Sequence, residues 1–146
     1  MPETLTITQA TAADAKILTE LSVTTFTETF AADNKKEDMD KYLAEVMNVS
    51  QIKAELANAA NVFFLAWYNG EIAGYAKLGY NQKPEAKDLA KPVELERIYV
   101  LKKFYSNKIG AALMEKCLAH ASAHKDATIW LGVWQHNHRA VNFYKQ

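Results

Sequence analysis

The sequence predicts an α/β fold, a mixed β-sheet with helices packed on both of its faces. Three observations carry this. Periodicity alternates along the chain in the order strand, helices, hairpin, strand, helix, strand, helix. Asn69-Gly70 lies between two apolar runs, and it is the strongest short hairpin signal because both residues tolerate positive φ. Residues 94–113 pass from an alternating β-branched and aromatic run, through a short polar turn, into helical spacing. A sheet of this kind opens where two parallel neighbours diverge, and ligands enter there.

The elements follow in order. Leu5 and Ile7 alternate with Thr4, Thr6 and Thr8, which reads as a first strand. Thr11-Ala-Ala-Asp14 resembles a capping box with Asp in the place of Glu, so a helix should follow and bury Ile17, Leu18, Leu21 and Phe26. Its continuation through Thr24, Thr25, Thr27 and Thr29 has poor helix propensity, so packing must hold it. Met39, Tyr42, Leu43, Val46 and Met47, three and four apart, mark a second helix. Ser50 reads as the cap of a short third helix carrying Ile52 and Leu56. Residues 62–68 form a buried strand, 71–80 its return, and 81–92, with Pro84 and Pro92, an exposed loop. After the central strand at 94–100, a helix from about Lys108 shows Ile109, Leu113, Met114, Cys117, Leu118 and Ala121 on one face. Residues 128–134 are a further strand, and 137–144 begin a last helix.

A length of 146 residues with 49% hydrophobic content suits one domain with one core, and no linker or repeat divides it. Seventeen basic residues balance seventeen acidic ones, which argues against a nucleic-acid binder. Cys117 is the only cysteine, so no internal disulfide forms, which fits a reducing compartment. The first residues lack a signal-peptide pattern, and the longest apolar run, 62–68, is too short to cross a bilayer. A cytoplasmic protein with no membrane partner is expected.

Candidate chemistry concentrates after the central strand. A strand that feeds a helix through a polar turn leaves backbone N–H groups pointing one way, with the helix dipole behind them. The turn ending at Gly110 is therefore a socket for phosphate. Glu94 and Glu96 alternate with Leu95 and Arg97, so the two carboxylates should share one face of the strand. His120 and His124 stand one helical turn apart, and His136 and His138 flank Asn137, but no acidic residue completes a metal motif. No metal is expected. The apolar stripe around Cys117 raises its pKa and disfavours it as a nucleophile.

Glu94-Leu-Glu-Arg-Ile-Tyr-Val100 and the turn after it resemble the central strand and cofactor loop of the GNAT-superfamily acetyltransferases. Trp130-Leu-Gly-Val-Trp134, Asn137-His-Arg-Ala140 and Phe143-Tyr144 strengthen the match, and together these segments look like the PaiA-type polyamine acetyltransferase branch. The resemblance reaches back to 26–30 and 38–43, so it spans nearly the whole chain. It implies a GNAT-like acyl-CoA N-acyltransferase fold and an N-acetyltransferase that passes the acetyl group of acetyl-CoA to a primary amine of a small molecule by direct attack. Spermidine and spermine are the acceptors that this branch points to.

The same resemblance implies roles. Tyr144 matches the tyrosine that protonates the CoA sulfur, and Glu96 the strand position that binds the amine or takes its proton. Ile98, Tyr99 and Val100 would offer backbone groups to the pantetheine arm, as a peptide adds to a sheet edge, and Asn137 would bond that arm. Tyr105, Ser106, Asn107, Lys108, Ile109 and Gly110, with Ala111 behind them, would cradle the pyrophosphate. The family loop reads Gln/Arg-x-x-Gly-x-Gly/Ala. Here only Gly110 keeps the pattern, Lys108 replaces a glycine and Tyr105 replaces Gln or Arg. Lys108 either blocks close approach of the phosphates or neutralises them. Family members also continue into two more strands, a C-terminal hairpin absent from these 146 residues. A homo-oligomer covering the edge at 128–134 is therefore expected, and the alternative function is a weak or inactive GNAT-like binding module.

Overall fold

The computed structural model describes residues 4–80, 92–123 and 128–131. Asn137, Tyr144, the last helix, most of the 81–92 loop and the 132–134 end of the last strand lie outside the described residues. Among the described residues five strands, β1 (Leu5–Gln9), β2 (Asn61–Tyr68), β3 (Glu71–Tyr80), β4 (Pro92–Val100) and β5 (Thr128–Leu131), form a sheet in sequential order. The pairings β1–β2, β2–β3 and β3–β4 are antiparallel, and β4–β5 is parallel from Pro92↔Thr128 to Leu95↔Leu131. The helices are α1 (Ala15–Phe30), α2 (Lys36–Val46), α3 (Val49–Ala57) and α4 (Ile109–Ser122).

Strand alternation divides the apolar side chains between two cores. Val62, Phe64 and Ala66 of β2 pack with Leu78, Leu95, Leu113 and Cys117 on the α4 side of the sheet. Phe63 and Leu65 pack with Leu18, Leu21, Ile52 and Tyr75 on the side of α1 and α3. Each large side chain taken fully out of water contributes about 1.5–3 kcal/mol, so the sheet is clamped from both faces. Asn69 and Gly70 adopt φ of 52° and 83°, the double positive φ of the expected tight hairpin, and Tyr68 pairs with Glu71. The Asn69 amide oxygen also accepts the Thr4 N–H at 2.8 Å, which ties β1 to this turn.

The threonine-rich part of α1 is helical because tertiary packing overrides its propensity. Thr25, Phe26 and Phe30 are buried, and the Thr19, Thr25 and Thr29 hydroxyls donate to carbonyls four residues back at 2.7–2.8 Å. The capping box is present as one 3₁₀ turn, Ala12–Asp14, with the Thr11 N–H donating to Asp14 Oδ2 at 2.9 Å. Three expectations are corrected. Asn48, not Ser50, caps α3: its backbone is extended, and its side chain accepts the Gln51 N–H at 2.8 Å, which leaves Ser50 inside the first turn. Leu118 is exposed rather than buried, since it sits at the margin of α4's apolar stripe. Pro92 opens β4 instead of closing the loop, a place where proline's missing N–H is tolerated.

Cys117 is fully buried, and desolvation pushes its thiol up to about 12. A disulfide reagent such as DTNB is therefore expected to leave the native protein unlabelled and to label it stoichiometrically in guanidinium. Rapid labelling of the native state would contradict this packing of α4 on the sheet.

Candidate active site

A β-bulge shapes the middle of β4. Lys77 lies opposite Arg97 and Leu78 opposite Leu95, so Glu96 is the extra residue between two paired positions. The bulge resets the alternation: Leu95 and Ile98, three apart, both enter the α4-side core. This corrects the expectation that Arg97 would lie on the face opposite the two glutamates. That expectation assumed strict period two, and the extra residue brings Glu96 and Arg97 to one group of charges.

That group is mostly buried. Lys77 Nζ lies 2.8 Å from Glu96 Oε2 and 3.2 Å from Glu55 Oε1. Arg97 Nη1 stands 3.1 Å from Glu55 Oε1, an ion pair made off the hydrogen-bonding angle, while Nη2 donates to Glu55 Oε2 at 3.5 Å. Burial pushes the Glu55 carboxyl up, but Arg97 and then Lys77 outweigh it, and its pKa falls below the ordinary glutamate value. Lys77 also stands 5.8 Å from the centre of the Phe63 ring. Tyr75 is fully buried, with its hydroxyl beside Ser22 and Arg97 and its ring 5.9 Å from that of Tyr99. Burial raises both tyrosines above their usual range.

Glu94 completes the cluster and differs from its neighbours. It is partly buried, and among the described residues it has no ion-pair partner. Opposite it on β3 stands Gly79, which brings no side chain over it. Burial, then the charge of Glu96, push its carboxyl up, while Lys77 and Arg97 only partly offset them. Among the described residues three carboxylates (Glu55, Glu94, Glu96) face two cations (Lys77, Arg97), so these five carry a net charge of −1 when ionised.

At its far end β4 leads into a 3₁₀ turn, Lys102–Asn107, and then α4. Ile98, Tyr99 and Val100 pair with β3, and among the described residues no strand pairs with 96–100 on the opposite edge. Gly74 permits the approach of β3 here, since a Cβ on it would stand 2.6 Å from the Tyr99 carbonyl oxygen. The turn is braced from three sides. The Lys102 N–H donates to Glu28 Oε1 of α1 at 2.9 Å, the Asn107 amide donates to the Tyr68 hydroxyl at 3.2 Å, and Lys103 pairs with Glu71. The Asn107 side chain thus serves the loop's shape. Ile109 is buried, while Ser106, Lys108 and Ala111 are exposed. The first bond of α4 runs from the Ala112 N–H to the Lys108 carbonyl at 3.2 Å, which leaves the N–H groups of Ile109, Gly110 and Ala111 without helical partners. These are the N–H groups of the turn from which the sequence predicts an anion socket, and the exposed Lys108 side chain lies at the same helix start.

Lys108 adopts φ 59° and ψ 26°, the left-handed conformation natural to glycine. The glycine's backbone path is therefore kept, at a strain of about 1 kcal/mol. Lys108→Gly is expected to raise stability by roughly that amount, offset in part by the extra chain entropy of glycine in the unfolded state. Chemical denaturation checks this, and calorimetric titration with acetyl-CoA at two salt concentrations reports whether the lysine charge contributes to binding.

Sequence reasoning did not single out Glu55 or Lys77. A lone lysine within the apolar run of β3 was the available signal, and Glu55, three residues after Ile52, falls on the buried side of α3. Among the described residues no cluster of metal-ligating side chains occurs, and no described helix is long and apolar enough to cross a membrane.

Comparison with known proteins is consistent across sequence and structure. A profile of the acetyltransferase (GNAT) family matches residues 18–146. An uncharacterized N-acetyltransferase from Lactobacillus delbrueckii subsp. lactis, from the pepI 3′ region, is 34% identical over 138 residues, covering 94% of this chain and 80% of that protein. The fold is similar to that of the PaiA N-acetyltransferase from Thermoplasma acidophilum in complex with coenzyme A, with a TM-score of 0.79 at 18% identity, covering 97% of this chain and 87% of the other. It is also similar to an aminoglycoside N-acetyltransferase in complex with CoA, with a TM-score of 0.71 at 15% identity, covering 99% and 87%.

Proposed function

Because the chain belongs to the acetyltransferase (GNAT) family and is an acetyl-CoA-dependent transferase, we propose that it acetylates a primary amine on a small cationic molecule, with polyamines the first class to test. The observation that carries this reading is Glu94, a partly buried carboxylate that has no cation of its own among the described residues and stands in a cluster whose described members carry a net charge of −1. One ammonium group would bring that cluster to neutrality.

Acetyl-CoA supplies the acetyl thioester. The N–H groups that begin α4 and the Lys108 side chain suit its diphosphate, and the β4 edge at 98–100 suits an amide-bearing arm. Glu94 takes a proton from the acceptor's ammonium group and later releases it to solvent. The freed nitrogen lone pair forms the bond to the thioester carbonyl carbon as the C–S bond breaks. Tyr144 gives its proton to the departing sulfur and takes the nitrogen's second proton in its place, so Tyr144 ends as it began. In this scheme Glu96, already paired with Lys77, holds the charge pattern and Glu94 moves the proton.

A thermal-shift titration tests the cofactor half: about 2.7 kcal/mol of stabilisation is expected at a hundredfold excess over Kd. No shift at millimolar acetyl-CoA would instead favour a GNAT-like module that has lost its chemistry. An acceptor screen over polyamines, aminoglycosides and simple alkylamines, read by a 42-dalton mass gain (about one acetyl for one hydrogen), tests the other half.

A further inference from the structure

We propose that Lys77 is a positioning residue for acetyl transfer: it holds Glu96 in an ion pair and shares Glu55 with Arg97, so that Glu94 alone is left to receive the acceptor's ammonium group. The proposal rests on the acetyltransferase reading of the β4 site. Lys77 lies within β3 among buried neighbours, and its own side chain is 8% exposed. An ammonium group so placed is tolerated only where carboxylates meet it, and two do, from α3 and from β4. The bulge is what presents Glu96 to it, by placing one extra residue opposite Lys77.

Remove that one cation and the balance changes in a way the reaction would register. Glu55, Glu94 and Glu96 would then face Arg97 alone. Glu96 would be free to compete with Glu94 for the same ammonium group and would repel its charge. With Lys77 in place, proton uptake belongs to one carboxyl. The charged groups around Glu94 among the described residues are Glu96 and Arg97 on β4 and Lys77 on β3, with Glu55 of α3 acting through the two cations. Gly79 opposite adds none, and Tyr75 and Tyr99 stay neutral across the working range.

The test follows the Glu94 carboxyl by carbon-13 NMR titration and, in parallel, the pH dependence of kcat/KM with acetyl-CoA and spermidine. Lys77→Met is expected to move the Glu94 midpoint and the acid limb of the rate profile upward together, by about one pH unit. Lys77→Arg should leave both near the wild-type positions. The charge-neutral double variant Lys77→Met/Glu96→Gln should bring both back, because it removes the attraction and the repulsion at once, and it serves where the single variant does not fold. A Glu94 midpoint that stays put in Lys77→Met, or that moves while the rate profile does not, overturns the proposal. So does a double variant displaced as far as the single one. A wild-type protein that acetylates no amine sinks the acetyltransferase reading instead, and is told apart because the carboxyl would still move in the titration.

Discussion

Glu94→Gln is expected to lower kcat by about 10²–10⁴-fold, the usual worth of a positioned general base, while the KM for acetyl-CoA stays close to its wild-type value. The same substitution is expected to raise the melting temperature at pH 7. Burial first, and Glu96 second, hold the Glu94 carboxyl above its ordinary value. The folded state therefore binds this proton more tightly than the unfolded chain, so stability falls as pH rises through the folded pKa. Glutamine removes that charge and its cost. The gain in melting temperature should shrink as the pH is lowered towards 4.5, where the unfolded carboxyl also becomes protonated. An unchanged kcat would remove Glu94 from the proton transfer. A lower melting temperature at pH 7 would show that its charge is compensated by a partner.

Glu55→Ala is expected to cost about 3–5 kcal/mol, the range for breaking a buried ion pair by removing one side. Its side chain is 12% exposed and meets both Lys77 and Arg97. Glu96 still pairs with Lys77 in the variant, so the stranded charge is Arg97. The pH dependence has the opposite sign to that of Glu94. Burial raises the Glu55 carboxyl, yet Arg97 and Lys77 bring it below 4.5 overall. Its contribution is present above the unfolded value and is lost as pH falls through the folded pKa. Urea melts of the two proteins should therefore converge in acid. A difference under about 1 kcal/mol at pH 7 would mean that the cluster adds little to the fold beyond an exposed pair.

The elements that announce themselves in a sequence are those decided within one segment. Residues 71–80 were read to both ends because Asn69-Gly70 sets the turn and Tyr80 closes the apolar run. The left-handed step at Lys108 was not legible, because the lysine in the glycine position was read for its side chain's effect on phosphates and not for its backbone. What else was not legible depends on pairs of segments. The bulge at Glu96 is a mismatch between β3 and β4, so no pattern within β4 alone reveals it. Glu55, Lys77 and Arg97 come from three elements that only the finished sheet brings together. The cap of α3 was misplaced by two residues because Asn48 and Ser50 are both good caps, and the end of α2 decided between them.

The bond between the Lys102 N–H and Glu28 joins α1, on the face that holds the charge cluster, to the turn that leads into the α4 socket. The face of the cluster and the start of α4 are thus tied by a bond between residues 74 apart in sequence. Thermodynamic linkage then constrains how they bind: whatever factor acetyl-CoA imposes on the affinity for the amine, the amine must impose on the affinity for acetyl-CoA.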